Sequence, residues 1–346
     1  MVDAGGEKRC TLDQTRTKAK CSGMPRSRSA PDVYLLSKVS TLYYVQDQTQ
    51  QEIAQRLGVS RPTVSRLLQD AQDHGIVQIT VAPQRGVYLE LEGKIEEQFG
   101  LDTAQIVSVE RDGSDLLQQL GSAAAAYLAR TVKPDLSIGL AWGTTLQAMV
   151  QAVTPLPTEG VRIVQTLGGI GPPDTEAYAS ALVRRLARAL SASPILLPAP
   201  GVVATPAVRD ALREDPHVNA ALQQLDSLDM VFVGIGSLAS NKVLNDGMSL
   251  PPGAYAELVA AGAVGDIALR FFDAKGGVAT SSLDDRVLGV SVEQLRRTPR
   301  VVGIAGGKSK VEAILAALRA DLLDVLITDV VTAEAILKST SRPKRK

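Results

Sequence analysis

The sequence has little of what builds metal sites or disulfide frameworks. Its 346 residues include two cysteines, Cys10 and Cys21, and two histidines, His74 and His217. Both cysteines lie in the polar N-terminal stretch and the histidines are far apart, so no zinc template exists. So few thiols in so long a chain exclude a disulfide scaffold and fit a reducing, cytoplasmic setting. Cys10 and Cys21 read as free tail thiols, with redox sensing as the alternative. Long apolar runs are missing too. None reaches the roughly 18 residues that span a bilayer. The first 30 residues hold no apolar core of a secretory signal. Neither GxxxxGK[ST] nor a proper GxGxxG occurs, which speaks against nucleoside triphosphates and dinucleotides. No metal, cofactor or membrane partner is expected.

The chain also lacks net charge, with 37 basic and 37 acidic residues. The balance hides a pattern. Residues 1–30 carry +4, residues 31–82 carry −1, residues 83–337 carry −8, and the last nine carry +5. Two basic tails flank an acidic body, an asymmetry that hints at a polyanion. The tails themselves read as solvated and flexible. A 45% hydrophobic content is enough for packed cores, and the length suits about two domains.

Regular pattern begins at Pro31. Leu35, Val39 and Leu42 recur at helical spacing with Tyr43 beside them, and Pro31 or Asp32 opens the helix. Thr49 and Glu52 form a capping box that starts a helix at Gln50, with Ile53, Ala54 and Leu57 on its apolar face. Gly58 permits a stop. Ser60 caps the next helix, Pro62 sits in its first turn, and Val64, Leu67, Leu68 and Ala71 form its buried face. Gly75 ends it, and Ile76, Val77, Ile79 and Val81 predict a short extended wing. Two short helices around a Gly turn, after a longer helix, make a helix-turn-helix. Its second helix presents Arg61, Thr63, Ser65, Arg66 and Gln69, donors suited to phosphates and base edges, and Gln50 and Ser60 stand at the two helix starts. Double-stranded DNA is the expected partner, with Arg61, Thr63 and Arg66 nearest the groove. A plain helical hairpin with a solvated face is the alternative.

Residues 87–99 predict an acidic, apolar linking helix. Beyond residue 104 the texture becomes alternating strands and helices. The strands expected are Gln105–Val109, Leu136–Leu140, Arg162–Leu167, Ile195–Leu197, Asp229–Ile235, Ile267–Phe271, Arg300–Ala305 and Val325–Thr328. Helices include Ser114–Arg130, Thr175–Leu190 and Lys308–Arg319. Apolar strands alternating with helices predict an α/β fold with a Rossmann-like parallel sheet covered on both faces. Such sheets bind ligands at the carboxyl ends of their strands.

Four Gly-rich segments follow strands: GLAWGTTLQAM with Gly143, Thr144 and Thr145; TLGGIG with Gly168 and Gly169; GIGS with Gly236; and AGGKSK with Gly307, Lys308 and Lys310. Any one is commonly only a turn. Four at equivalent strand ends, with hydroxyls and lysines, predict an anion pocket, most economically for phosphate. Asp266, in GAVGDI, is either an acceptor for sugar hydroxyls or a structural residue, capping a helix end or solvating a strand edge.

Together these segments resemble the SorC family of sugar-binding transcriptional regulators, of the central glycolytic or deoxyribonucleoside regulator type. The residues that carry the resemblance are Tyr43–Tyr44, TQQEIAQRLGVSRPTVSRLL, GLAWGTTL, GAVGDI, AGGKSKVEAI and LITD. The resemblance implies a homodimer or homotetramer whose effector domain is similar to sugar-phosphate isomerases and holds a phosphorylated sugar. It implies a pocket lined by Gly143, Thr144, Thr145, Gly168, Gly169, Asp266, Gly307 and Lys310. Leu167 stands where an Arg would precede the paired glycines, which argues against a bisphosphate. The domains expected are a basic tail (1–30), a helix-turn-helix domain (31–82), a linker helix (83–100), an effector and oligomerisation domain (101–338) and a second basic tail (339–346). The function expected is an effector-controlled transcriptional regulator, not an enzyme. The alternative is a sugar-phosphate isomerase or deaminase with an appended DNA module.

Overall fold

The computed structural model describes residues 32–79, 87–110, 113–169, 173–238 and 253–340, with side chains of 173–178 and 340 not described. The N-terminal tail with Cys10 and Cys21, Pro31, Val81 of the expected wing, Ile170 and Gly171 of the second glycine loop, and residues 341–346 lie outside them. The chain divides into two units, 1–82 and 83–346.

In the first unit, Asp32 caps α1 (Val33–Ser40), which continues into a π turn (Thr41–Val45). Next come α2 (Gln50–Leu57) and α3 (Arg61–Asp73). The capping box is formed: the Thr49 N–H donates to Glu52 Oε2 at 2.8 Å, and the Glu52 N–H donates to Thr49 Oγ1 at 3.3 Å. These bonds satisfy donors that a helix start leaves open. Val39, Leu42, Ile53, Ala54, Val64 and Leu68 pack into one small core. No strand forms over the described residues 76–79 of the expected wing. The Ile76 and Val77 N–H groups both donate to the Ala71 carbonyl, at 2.9 and 3.1 Å. The chain therefore folds back to close the end of α3, and Ile76, Val77 and Ile79 do not form a strand.

The second unit opens with α4 (Leu89–Phe99), then β1 (Thr103–Val107), α5 (Leu116–Thr131), β2 (Ser137–Leu140), α6 (Thr144–Ala152), β3 (Arg162–Gln165), α7 (Pro173–Leu190) and β4 (Ser193–Ile195). It continues with α8 (Pro206–Glu214), α9 (Pro216–Gln223), β5 (Met230–Gly234), β6 (Gly236–Ser237), α10 (Ala254–Ala260), β7 (Ala263–Ile267), β8 (Arg270–Asp273) and α11 (Val292–Arg297). It closes with β9 (Val301–Ile304), α12 (Val311–Arg319), β10 (Val325–Asp329) and α13 (Val330–Thr340). Seven strands form a wholly parallel sheet in the order β1-β10-β9-β5-β2-β3-β4. Central strands β2, β9 and β10 are buried throughout, as sheets covered on both faces require.

The segment expected as a linker helix is packed on the sheet. Ile95 of α4 is fully buried in the main core. Glu96 Oε1 accepts the Ala104 N–H at 2.7 Å and Glu92 Oε1 accepts the Ile106 N–H at 2.8 Å. β1 is an edge strand, so α4 pairs donors that would otherwise stay open to another strand. Burial raises the Glu92 pKa above the usual carboxylate range, against the lowering effect of the Ile106 N–H.

The strand expected at Ile267–Phe271 is instead the tip of an antiparallel hairpin. Ile267 pairs with Arg270 across Ala268 and Leu269, and β6-β7-β8 form a separate small sheet. Both turn residues are left-handed, with φ of 51° and 61°. A two-residue turn with both centres left-handed suits Asn and Gly. With Ala and Leu there, no local turn signal marks the break.

Candidate effector pocket and DNA-facing helix

The pocket forms because β2, β5 and β9 are neighbours in the sheet. Loops leaving the carboxyl ends of adjacent parallel strands converge, whatever their distance in sequence. After β2 the chain runs through Trp142 and Gly143 into α6. After β5 it crosses Ile235 into β6. The β7–β8 turn and Lys310, in the short helical turn after β9, complete the walls. The cavity measures about 390 Å³, within the range of small-molecule sites.

Gly143, Thr144, Thr145, Gly236, Asp266 and Lys310 all line this cavity. Gly143 caps α6 without any side-chain hydrogen bond to the first-turn N–H groups. A helix start of this kind offers backbone donors and the positive end of the helix dipole. Thr145 is buried and Thr144 exposed. Burial lowers the Lys310 pKa below the ordinary lysine value, and the nearby Asp266 carboxylate offsets part of this. Asp266 is 6% exposed, and its Oδ2 accepts the Leu269 N–H at 3.0 Å. That bond braces the left-handed turn, so the carboxylate shapes the pocket wall.

Gly168, Gly169, Gly307 and Lys308 do not line the cavity. Gly168 donates to the Leu288 carbonyl, and a Cβ on it would stand 2.4 Å from the Ala199 carbonyl oxygen. Gly169 donates to Ala199 and accepts from the Gly201 N–H. These glycines allow two loops to touch backbone to backbone. Gly307 has its N–H engaged by Asp329 and Thr332, and Lys308 is exposed. Sequence reasoning missed Trp142, Ser237 and Leu269 as wall residues. Trp142 stood inside the GLAWGTTL segment and Ser237 inside GIGS; nothing local marked Leu269.

In the first unit, Arg61, Ser65, Arg66 and Gln69 are exposed on α3, and Thr63 is half-buried. Gln50 is half-buried at the start of α2. Ser60 is occupied as the cap: its Oγ accepts the Thr63 N–H at 3.3 Å and lies 2.8 Å from Thr63 Oγ1. The Gln69 amide donates to Asp73 Oδ1 at 2.9 Å. Arg61 and Arg66 are thus the cations of the exposed face.

Residues 86–338 match the family model described as "Putative sugar-binding domain", and residues 39–86 match the MarR family model. The chain is 34% identical over 305 residues to a deoxyribonucleoside regulator of Bacillus subtilis, covering 87% of this chain and 96% of that one. It is 31% identical over 316 residues to a sorbitol operon regulator of Klebsiella pneumoniae, covering 90% and 99%. The crystal structure of the full-length sorbitol operon regulator SorC from Klebsiella pneumoniae superposes with a TM-score of 0.68 over 88% of this chain and 99% of that one, at 31% identity.

Proposed function

The chain belongs to the SorC family of sugar-binding transcriptional regulators, and on that premise we propose that a phosphorylated sugar in the Lys310 pocket controls the affinity of α3 for an operator. Relatives that match over nearly the whole chain are regulators, and this chain is a regulator and not a sugar-phosphate isomerase. The observation that carries the finer reading is the make-up of the pocket. An uncapped helix start and Lys310 bring donors and a cation to a cavity that also holds the Asp266 carboxylate. Phosphate suits the first pair. Sugar hydroxyls suit hydroxyl-bearing walls and a carboxylate. Lys310 is the single cation among the described lining residues, which favours a monophosphate over a bisphosphate.

Arg61, Thr63, Ser65, Arg66 and Gln69, with Gln50 beside them, serve the operator. A homodimer or homotetramer supplies paired heads for half-sites spaced about 34 Å apart. The protein works in the cytoplasm; no helix among the described residues is long and apolar enough to cross a membrane.

A thermal-shift panel of sugar monophosphates and their unphosphorylated sugars tests the effector class. A ligand at 100 times its Kd stabilises the fold by about 2.7 kcal/mol. Only the phosphorylated members are expected to shift the transition. Lys310→Ala removes a charge-assisted contact and should weaken binding by roughly 10- to 100-fold. A shift produced equally by the unphosphorylated sugar, or untouched by Lys310→Ala, would overturn the phosphate assignment.

A further inference from the structure

The turn that bears Lys310 is held from behind by two buried residues outside the pocket. Asp329 ends β10 at 2% exposed, and Thr332 lies in the first turn of α13 at 0%. The Gly307 N–H donates to Asp329 Oδ2 and to Thr332 Oγ1, each at 2.8 Å. The Thr332 hydroxyl donates to Asp329 Oδ2 at 2.5 Å, and its N–H donates to Oδ1 at 3.0 Å. The Lys310 N–H in turn donates to the Gly307 carbonyl at 2.9 Å. One carboxylate therefore both starts α13 and fixes the peptide from which the Lys310 turn hangs.

The same helix also touches the first helix of the effector unit. α13 packs against the Lys308–Lys310 turn, β1 and α4. Its Ala333 and Ile336 are fully buried in the main core. α4 is clamped to β1 by Glu92 and Glu96, and it is the first described helix after the DNA-binding unit in the chain. A displacement of the Lys310 turn has a packed route to α4 through α13, since close-packed interiors transmit strain.

We infer that Asp329 and Thr332 are positioning residues of the effector pocket, holding the Lys310 turn in its receiving form and tying its movement to α13 and α4. This rests on the reading of Lys310 as an effector residue. It adds residues that touch no ligand, and a route for regulation.

The test uses the full chain with Thr332→Val, which removes the hydroxyl at constant shape, and Thr332→Ser, which keeps it. Amide hydrogen exchange needs no ligand. Thr332→Val should speed exchange at Gly307 through Lys310 by about tenfold, as expected for one lost bond. Thr332→Ser should stay within about twofold of the parent. The second readout is the affinity for whichever pentose or hexose monophosphate gives the largest thermal shift on the parent chain. Thr332→Val should weaken it by about tenfold and abolish its effect on operator affinity in a gel-shift titration. Thr332→Ser should restore both. Should Thr332→Val not fold, Asp329→Asn makes the same comparison by removing one acceptor oxygen. Unchanged exchange at 307–310, or loss that Thr332→Ser does not restore, would overturn the inference. Failure of every sugar phosphate to bind the parent chain would sink the phosphate reading, and exchange alone would then decide the latch.

Discussion

Two glycine-to-alanine substitutions in helices of the effector unit should move stability in opposite directions. Both gain the same intrinsic term, since alanine is favoured over glycine in a helix by about 1 kcal/mol. Gly93 lies in α4, and a Cβ there meets nothing within 4 Å. Gly93→Ala should keep the whole gain. Gly121 lies in α5 against α6, and its Cβ would stand 2.5 Å from the Ala148 carbonyl carbon and 2.8 Å from its oxygen. Backbone cannot yield by changing rotamer, so α6 must move away by about 1 Å to restore van der Waals distance. Overpacking of this kind costs roughly 1–3 kcal/mol, and a backbone clash belongs at the upper end. The net for Gly121→Ala is then about 2 kcal/mol destabilising, a fall of roughly 4–8 °C in Tm for a domain of this size. Gly93→Ala should raise Tm by about 2–4 °C. The assay follows from composition: Trp142 is the sole tryptophan, so tryptophan fluorescence reports the effector unit's melt without the DNA-binding unit. The displacement should also reach the pocket, because Ala148 sits one turn from the α6 start that lines it. Effector affinity should fall in Gly121→Ala and hold in Gly93→Ala. A Gly121→Ala melt at or above the parent's would refute the reasoning, by showing that the α5–α6 spacing is adjustable at no cost.

Thr49→Ala removes the reciprocal cap of α2 and should cost the first unit about 1 kcal/mol, seen as roughly fivefold faster exchange of α2 amides while the tryptophan melt stays put. Arg66→Ala should weaken binding to a selected operator fragment by roughly 10- to 100-fold; retained affinity would remove α3's exposed face from the recognition surface. Burial raises the Glu92 pKa in the folded chain, so its contribution to stability is fullest below the ordinary carboxylate value and is lost as pH rises through the raised value. Glu92→Gln keeps an acceptor for the Ile106 N–H and removes the buried charge. Its Tm should exceed the parent's near about pH 7 and converge with it toward about pH 4; a gap that widens on acidification would reverse the assignment.

What could be read from the sequence was what neighbours in sequence decide. Thr49, Glu52, Gly58, Ser60 and Pro62 fix helix ends within one turn of themselves, and the structure forms those helices at Gln50 and Arg61. Continuous apolar strands between helices determined a parallel sheet with its loops at the carboxyl ends. The failures share a cause: the deciding interaction is either non-local or locally unmarked. Ile76 and Val77 open an apolar stretch that reads as a strand, but they bond back to Ala71. Ala268 and Leu269 look like strand interior, and only the brace from Asp266 shows them to be a turn.

The sequence by itself determined the inventory: a helix-turn-helix, a Rossmann-like sheet, and four glycine loops after strands. Tertiary structure decided which loops share a cavity. Strand order made β2, β5 and β9 neighbours and so joined Thr144, Gly236 and Lys310 from positions far apart in the chain. It turned Gly168 and Gly169 toward the Ala199–Gly201 loop and placed Gly307 against Asp329. Residue type and spacing carry no record of which strand edges pair. Pairing is set by the burial of the whole sheet, and the membership of the pocket follows from it.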